Sequence, residues 1–540
     1  MNLQLKLSPA QFTRITIVTS VLIVLLLSFF KYSSGDINYR NSDATWHTLL
    51  TIQAYEETPI TVHKFLPIVT LGAPEDKGIP WGLYLGDEAG NYYYTSFSWL
   101  GYFLPWAFIK ICHLPINEQS LYIFNTLLQI LSVISWILLI GLFYRDNKHR
   151  NILLPMAVLP VIFAPEIMHG MGIVYWHQSL MQVTLPLQMI AYLLWRRDQS
   201  NRAKYAFYAL TLINPMIEWT GYVANVGFAV LEFVLTRKNA LSKRSILAIM
   251  SLTAAAFVLF SLHYLQAVSF QDYFTTLYNR FLTRSIAGKS AVLGVYSANV
   301  FTGYIHSFWA WWIVVLVLLL WALIQNGKVE LKHPWVLFIL AFIMIENLIM
   351  SEHAICYTFD RMKLVFFLSF VTCELFDQIL TQSSHLKRTC MVIFPIALLC
   401  AGMNFHHYLS SPDYIWRANY RSRNQIFADY INANYPNSYL GTRAIPRGYT
   451  TLLFHRNIIE PPWPLVETAK ARHARYAIML NFKGERGINY YGLQMTTSTV
   501  NWNMLELERA DVLDLETNTT HYLSLDNGSQ VVRSDRIISN

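Results

Sequence analysis

Charge is scarce in this sequence. Only 14% of its 540 residues are Asp, Glu, Lys or Arg, against roughly 25% in ordinary soluble proteins. A soluble surface for a chain of this length needs more than that, so an ordinary water-soluble multidomain protein is excluded. Cysteine is scarce too. Cys112, Cys356, Cys373, Cys390 and Cys400 all lie in or beside apolar segments. Their spacing offers neither a disulfide framework nor a metal-binding pattern. The basic excess is small, 41 Lys and Arg against 33 Asp and Glu, and most of it flanks apolar runs. Short basic loops of that kind follow membrane topology and exclude nucleic acid as a partner. No convincing internal repeat is present.

What the chain does have is apolar length and aromatic side chains. A helix crosses a bilayer with about 20 apolar residues. The first such stretch is 13–30; with Lys31 and Tyr32 after it, and no small-residue cleavage site, it reads as an uncleaved first helix. A polar stretch, 33–91, follows. Residues 92–112 are apolar, rich in aromatics and interrupted by Pro105, which suits a segment lying at the interface. Further spans are expected at 120–144, 152–163, 179–195, 246–267, 308–324, 335–350, 364–380 and 391–403. The thirty residues 205–234 are broken by Asn214-Pro215 and read as two short helices joined by a turn. The 32 Tyr and 16 Trp suit the water–lipid boundary.

Orientation follows from the loops. Those at 145–150, 196–204, 237–244, 328–332 and 387–388 each carry two or more Lys or Arg, and assigning all of them to the cytoplasm satisfies the positive-inside rule. The expectation is a polytopic α-helical membrane protein with about eleven transmembrane helices, its N-terminus cytoplasmic. The large outer segments are 33–91, 269–306 and everything after residue 405. Residues 1–405 form the transmembrane domain; 406–540 form a small extracytoplasmic α/β domain. In that domain 424–435 reads as an amphipathic helix, the region near Tyr439 and 476–480 as strands, and 521–525 with 531–532 as a hairpin around Asp526-Asn527-Gly528. Two glycosylation sequons, at Asn518 and Asn527, are matches that chance readily produces.

Ionisable groups inside or beside a membrane are costly, so they point to function. Three groups stand out, all on the expected outer face. Asp43 opens the stretch 42–57, where Trp46, Leu49, Leu50 and Ala54 recur at helical spacing behind Ser42 as N-cap. Such a helix lies on the membrane and holds Asp43 near the end of the first span, though an acid there also serves as an ordinary cap. Glu218 sits in Asn214-Pro215-Met216-Ile217-Glu218-Trp219-Thr220-Gly221, at the turn of an otherwise apolar hairpin; a carboxylate at a helix start is equally a dipole partner. The third group is Glu346 with the link 351–363, which carries Glu352, His353, Tyr357, Asp360, Arg361 and Lys363. Basic residues on the outer face go against the general trend and suggest a bound anion, whereas a plain salt-bridged loop would pair them with Asp360. Arg280, Arg284 and Lys289 are weaker anion candidates.

One span, a long outer loop opening on an acid and an amphipathic helix, then many spans, resembles the GT-C superfamily of membrane glycosyltransferases that use polyprenyl-phosphate sugars. The stretch 217–221 and the link from Glu352-His353 through Tyr357 to Arg361 are similar to segments of bacterial members. The resemblance covers about residues 1–405, and the C-terminal segment matches the family's extracytoplasmic domains in placement only. It implies a hexosyl- or pentosyltransferase of a bacterial inner membrane, with a periplasmic C-terminal domain and a role in cell-envelope polysaccharide biosynthesis. The partners implied are a polyprenyl-phosphate-linked sugar, membrane lipid, and a glycan, lipid or protein acceptor.

The resemblance also assigns residues. Asp43 would be the general base. Arg361, Lys363 or a divalent cation would stabilise the leaving phosphate. Glu218, Glu352, His353 and Tyr357 would bind substrate, and Trp46, Trp81 and Trp219 would stack on sugar or isoprenoid. The family's second acid has several claimants: Glu75, Asp76, Asp87, Glu88 and Glu166. Two other functions share the outer-face chemistry: a transporter or flippase for a lipid-linked sugar, and a ligase or polymerase for whole glycans.

Overall fold

The computed structural model describes residues 8–39, 43–72, 77, 84–235, 240–285, 293–383, 385–410, 421–442, 447–459, 464–482, 507–526 and 530–535. The chain divides into two compact units, one of Met1–Ser34, Tyr122–Leu262 and Phe281–Ser411, the other of Gly35–Leu121, His263–Arg280 and Pro412–Asn540.

The first unit is a helical bundle. Among the described residues six helices are long and apolar enough to cross a bilayer: Pro9–Ser33, Glu118–Phe143, Lys243–Tyr264, Asn299–Gln325, Thr358–Gln382 and Arg388–Ser410. Around them stand shorter or more polar helices, Arg150–Phe163, His177–Asp198, Asn201–Ile213, Thr220–Leu235 and Pro334–Phe342. The chain is therefore a polytopic α-helical membrane protein carrying a small α/β domain, as the sequence indicates.

Local chemistry sets the boundaries. Ser8 caps the first helix through a reciprocal pair, Gln11 N to Ser8 Oγ at 3.2 Å and Ser8 N to Gln11 Oε1 at 2.8 Å. Asn214–Met216 is a single 3-10 turn where Pro215 ends one helix before Thr220 begins the next. Gly221 lies so close to that turn that a Cβ would stand 2.3 Å from the Asn214 carbonyl carbon.

Two spans differ from expectation. The run Leu293–Asn326 is helical on both sides of a break at Phe308, so the expected span from 308 is preceded by a further helical segment that polar Asn299, Thr302 and His306 hid. The stretch 335–350 breaks after Phe342 into Pro334–Phe342 and Ile345–Ile349, because polar Glu346 and Asn347 turn inward there.

One end of this unit is tied by carboxylates. Asp377 accepts from Asn147 Nδ2 at 2.8 Å and from Lys332 Nζ, and His149 Nδ1 lies 3.2 Å from it. Glu374 accepts from Tyr144 Oη at 2.5 Å and from the backbone amides of Lys332 and His333 at 2.6 and 3.0 Å. Arg197 reaches the Leu142 carbonyl at 2.9 Å, and Arg150 the Pro9 carbonyl at 3.0 Å. Basic loops far apart in sequence thus share one end of the bundle.

The second unit contains the helix Asp43–Glu57, a short hairpin and the C-terminal sheet. Strands β1 (Leu85–Gly86) and β2 (Tyr92–Tyr93) pair antiparallel. Asp87 closes their turn by accepting from Asn91 N at 2.8 Å, Asn91 Nδ2 at 3.0 Å and the Tyr93 hydroxyl. The apolar stretch 92–112 begins with β2 and continues into the helix Leu100–Ile111, too short to span unaided.

The C-terminal sheet comprises β3 (Ser438–Thr442), β4 (Ile458–Ile459), β5 (Tyr476–Phe482), β6 (Leu507–Asp514), β7 (Thr519–Leu525) and β8 (Val531–Asp535), in the order β4-β3-β5-β6-β7-β8. The β3, β4 and β5 pairings are parallel and the rest antiparallel. Phe427 and Ile431 of helix Arg421–Asn434 pack on Leu440, Ile478, Leu480, Val512 and Leu523. This α/β layer needs no disulfide because it has an apolar core of its own.

Candidate functional site

At the other end of the helical unit the helices break, and the breaks converge. The segments are Pro165–Gly170, the start of His177–Asp198, the turn at 214–219, and the run Ile345–Ile349, Ser351–Cys356 and Thr358–Lys363. Irregular backbone within a membrane protein survives only where its polar groups find partners. Here they do. Asn125 Nδ2 donates to the Gly170 and Val174 carbonyls at 3.2 and 3.0 Å. His177 Nδ1 must donate to the Ile217 carbonyl, 2.9 Å away, because a carbonyl only accepts. Lys31 Nζ donates to the Met168 carbonyl at 2.8 Å.

The breaks gather buried charge. Lys363 Nζ donates to Glu346 and lies 3.1 Å from Thr220 Oγ1, which donates to Glu346 Oε2 at 2.6 Å. The Thr220 amide donates to Glu218 Oε2 at 2.7 Å. Burial first, and then the neighbouring Glu346 carboxylate, push the Glu218 carboxyl well above the usual range, against the opposing pull of Lys363. Glu218 stands in the turn, outside the flanking helices.

Beside this group, Arg361 Nε bonds Ser307 Oγ at 3.0 Å and lies 3.6 Å from Glu166 Oε1, while Nη1 donates to the Ala354 carbonyl at 2.8 Å. Asp360 accepts from Gln178 Nε2, and His353 Nδ1 lies 3.0 Å from Asp360 Oδ2. The other ring nitrogen of His353, Nε2, is 2.8 Å from Arg284 Nη1. Arginine only donates, so Nε2 carries a lone pair and the ring proton sits on Nδ1, facing Asp360.

The structure therefore brings together Glu218, Glu346, His353, Asp360, Arg361 and Lys363. Arg361 and Lys363 do not stand as unpaired cations: Glu166 and Glu346 are beside them, and neither pairs with Asp360. Glu352 and Tyr357 lie on the same link, half-buried, with the Tyr357 ring 5.5 Å from that of His353. Trp219 packs against Tyr222 and Phe260 at 5.3 and 6.0 Å.

Of the acids that compete for a second catalytic place, Glu166 is buried beside Arg361, Asp87 closes the β1–β2 hairpin and Glu88 lies in its turn. Glu75 and Asp76 fall outside the described residues, as do Trp81, Lys289, Ser42 and the turn at Asn527. The sequence reading passed over Gln178, His177, Tyr304 and Asn347. Asn347 Nδ2 donates to the Asp360 carbonyl at 3.0 Å and to Tyr304 Oη. A run of polar side chains at a helix start, Trp176-His177-Gln178, was the available signal.

In the second unit Asp43 begins the helix Asp43–Glu57; its side chain lies outside what is described. Trp46 is no surface ring. It is buried, its Nε1 donates to Glu118 Oε1 at 3.1 Å, and its ring is 4.7 Å from that of Tyr449.

Among the described residues no group of three or more His, Cys, Asp or Glu is placed to hold a metal ion. No protein-family model and no curated protein matches the chain. Among solved structures it is similar to the crystal structure of ArnT from Cupriavidus metallidurans in the apo state, at 9% identity and a TM-score of 0.41, over 86% of this chain and 92% of that one. A likeness at that score supports no assignment of activity or of site residues.

Proposed function

We propose that this chain is a membrane glycosyltransferase that moves a sugar from a polyprenyl-phosphate donor to an acceptor hydroxyl outside the cytoplasm. The observation that best supports this reading is the buried cluster of Glu166, Glu218, Glu346 and Asp360 with Arg361, Lys363 and His353 at one end of the bundle. The basic loops share the opposite end, so the positive-inside rule would put the cluster on the extracytoplasmic face; the bacterial inner membrane is what the GT-C resemblance implies. Groups gathered at one face suit a reaction at the membrane surface.

In the proposed reaction the acceptor oxygen bonds to the anomeric carbon as the bond from that carbon to the phosphate oxygen breaks. The electron pair leaves with the lipid phosphate, and the acceptor proton passes to Asp43 as general base. Because Arg361 and Lys363 each already face a carboxylate, their charge would hold that cluster in shape. A divalent cation, if bound, would supply further charge for the leaving phosphate.

The test is transfer of labelled sugar from a panel of polyprenyl-phosphate monosaccharides by the purified protein, with membrane extract as acceptor and Asp43→Asn alongside. Transfer from one donor, lost in the variant, is the expected result. Full transfer by the variant would remove Asp43 as the base. No transfer from any donor, with movement of labelled lipid between liposome leaflets, would replace the reading with a flippase.

A further inference from the structure

The helix Asp43–Glu57 does not lie on a surface. From Thr45 to Ile52 every side chain is buried. Its sequence is poorly suited to form a helix alone. Thr45, Trp46, His47, Thr48 and Thr51 all have modest helix propensity, and fifteen residues are marginal in water. The position of this helix, and of Asp43 at its start, is therefore decided by what packs on it.

Part of that packing comes from the C-terminal α/β layer. Helix Arg447–Phe454 lies against helix Asp43–Glu57. Near the start of both, the Tyr449 ring is 4.7 Å from that of Trp46, at the close end of the aromatic range. Past the end of the shorter helix, His455 meets Glu57. Trp46 follows Asp43 by three residues, so helix geometry puts their Cβ atoms about 5–6 Å apart. The Trp46 indole has two fixed partners, because its Nε1 also donates to Glu118 Oε1 at 3.1 Å.

Tyr449 is itself held. Asn424 Nδ2 donates to its hydroxyl at 2.9 Å, and Asn424 Oδ1 accepts from the Leu507 amide at 2.9 Å. Asn424 belongs to helix Arg421–Asn434, and Leu507 opens β6. All of these groups are buried. The ring that meets Trp46 is thus tied to both a helix and a strand of the C-terminal layer.

We propose that Tyr449 is a positioning residue for sugar transfer: through it the C-terminal layer fixes the helix that begins with Asp43. The proposal rests on the reading of Asp43 as general base. A base must come within hydrogen-bond reach of the acceptor hydroxyl, and a displacement of about 1 Å costs ~100-fold in rate. The C-terminal sheet has an apolar core apart from this contact. Loosening the contact should therefore cost turnover before it costs folding.

The experiment compares the detergent-purified full chain with Tyr449→Leu and Tyr449→Phe, using the polyprenyl-phosphate sugar that supports transfer. Transfer kinetics are read together with hydrogen exchange of the backbone amides of 44–57. Tyr449→Leu should lower kcat about tenfold or more with KM for the donor unchanged. Exchange in 44–57 should quicken, while exchange in β5, β6 and β7 stays as in the natural chain. Tyr449→Phe keeps the ring and should retain most of kcat. Trp46→Phe reaches the same contact from the other helix. Lower kcat at unchanged KM in it carries the test should Tyr449→Leu not fold, and natural kinetics in it would then overturn the proposal. Natural kcat in Tyr449→Leu, a rise in KM alone, or unchanged exchange in 44–57 overturns the positioning role and leaves the transfer reading standing. No transfer by the natural chain from any donor sinks the transfer reading itself, and the positioning role with it.

Discussion

The ammonium of Lys363 and the carboxylate of Glu346 hydrogen-bond to one another in the interior, with side chains 4% and 9% exposed. A buried ion pair contributes little over an apolar pair of the same shape, but removing one partner strands a charge. Glu346→Gln and Lys363→Met should each destabilise the helical unit by ~3–5 kcal/mol. Glu346→Gln/Lys363→Met should cost clearly less than the two together, because neither charge is left alone. Thermal unfolding in detergent of the three variants closes the cycle; strict additivity would mean that the two groups do not depend on each other.

Gly221 is required by space. A methyl group on its Cα would stand 2.3 Å from the Asn214 carbonyl carbon and 2.4 Å from the Pro215 nitrogen, both backbone atoms. Backbone cannot rotate away as a side chain does, so Gly221→Ala should open the turn that carries Glu218. The expected loss is at least ~1–3 kcal/mol, seen as a lower unfolding temperature and reduced yield. Gly402, beside which a Cβ meets nothing within 4 Å, supplies the control: Gly402→Ala should unfold within ~0.5 kcal/mol of the natural chain or above it.

The turn at Gly221 also shows how far one sequence can be read. Hydropathy and Asn214-Pro215 located that hairpin because helix ends obey local rules. The spans with their basic loops followed for the same reason. What local rules do not carry is partnership across the chain. Arg361 beside Glu166, 195 positions away, and Lys363 beside Glu346 are facts of packing. Read alone, both cations looked available for an anion. Strand β6 was missed for another reason. Its inward residues Leu507, Ala510 and Val512 are interleaved with Glu508, Arg509 and Asp511, and the bulge at Asn481/Phe482 breaks the strict alternation.

In the second unit, His455 Nε2 lies 2.9 Å from Glu57 Oε1. That hydrogen bond raises the His455 pKa, and burial opposes it. Burial pushes Glu57 up, but bonds from His455 and Gln53 outweigh it and hold the carboxyl below its usual range. The His455 contribution is complete below the unfolded value of about 6.5 and is lost as pH rises through the raised folded value. The Glu57 contribution is present above about 4.3 and is lost as pH falls through the depressed one. The pair therefore adds most between those limits. With half of the His455 side chain exposed, the gain is below ~1 kcal/mol. Unfolding temperatures of the natural chain and His455→Gln across pH 4–9 should differ most near pH 5–6 and converge at high pH; a constant offset would rule out the titrating pair.

Glu218 titrates in the opposite sense. Its folded pKa is raised, chiefly by burial and next by Glu346, so the folded protein holds a proton that the unfolded chain releases near pH 4.3. Stability must then fall as pH rises from that value towards the folded one. Glu218→Gln resembles the protonated acid and keeps an oxygen for the Thr220 amide, whose bond to Glu218 measures 2.7 Å. The variant should fold, match the natural chain at low pH and surpass it as pH rises, with a flatter profile of unfolding temperature against pH. Sugar transfer by the same variant then separates two roles. Retained transfer would make Glu218 a positioning group that works while protonated. Transfer lost at every pH from a stable variant would mean that the reaction needs the carboxylate form, which the folded site holds back until its proton is released.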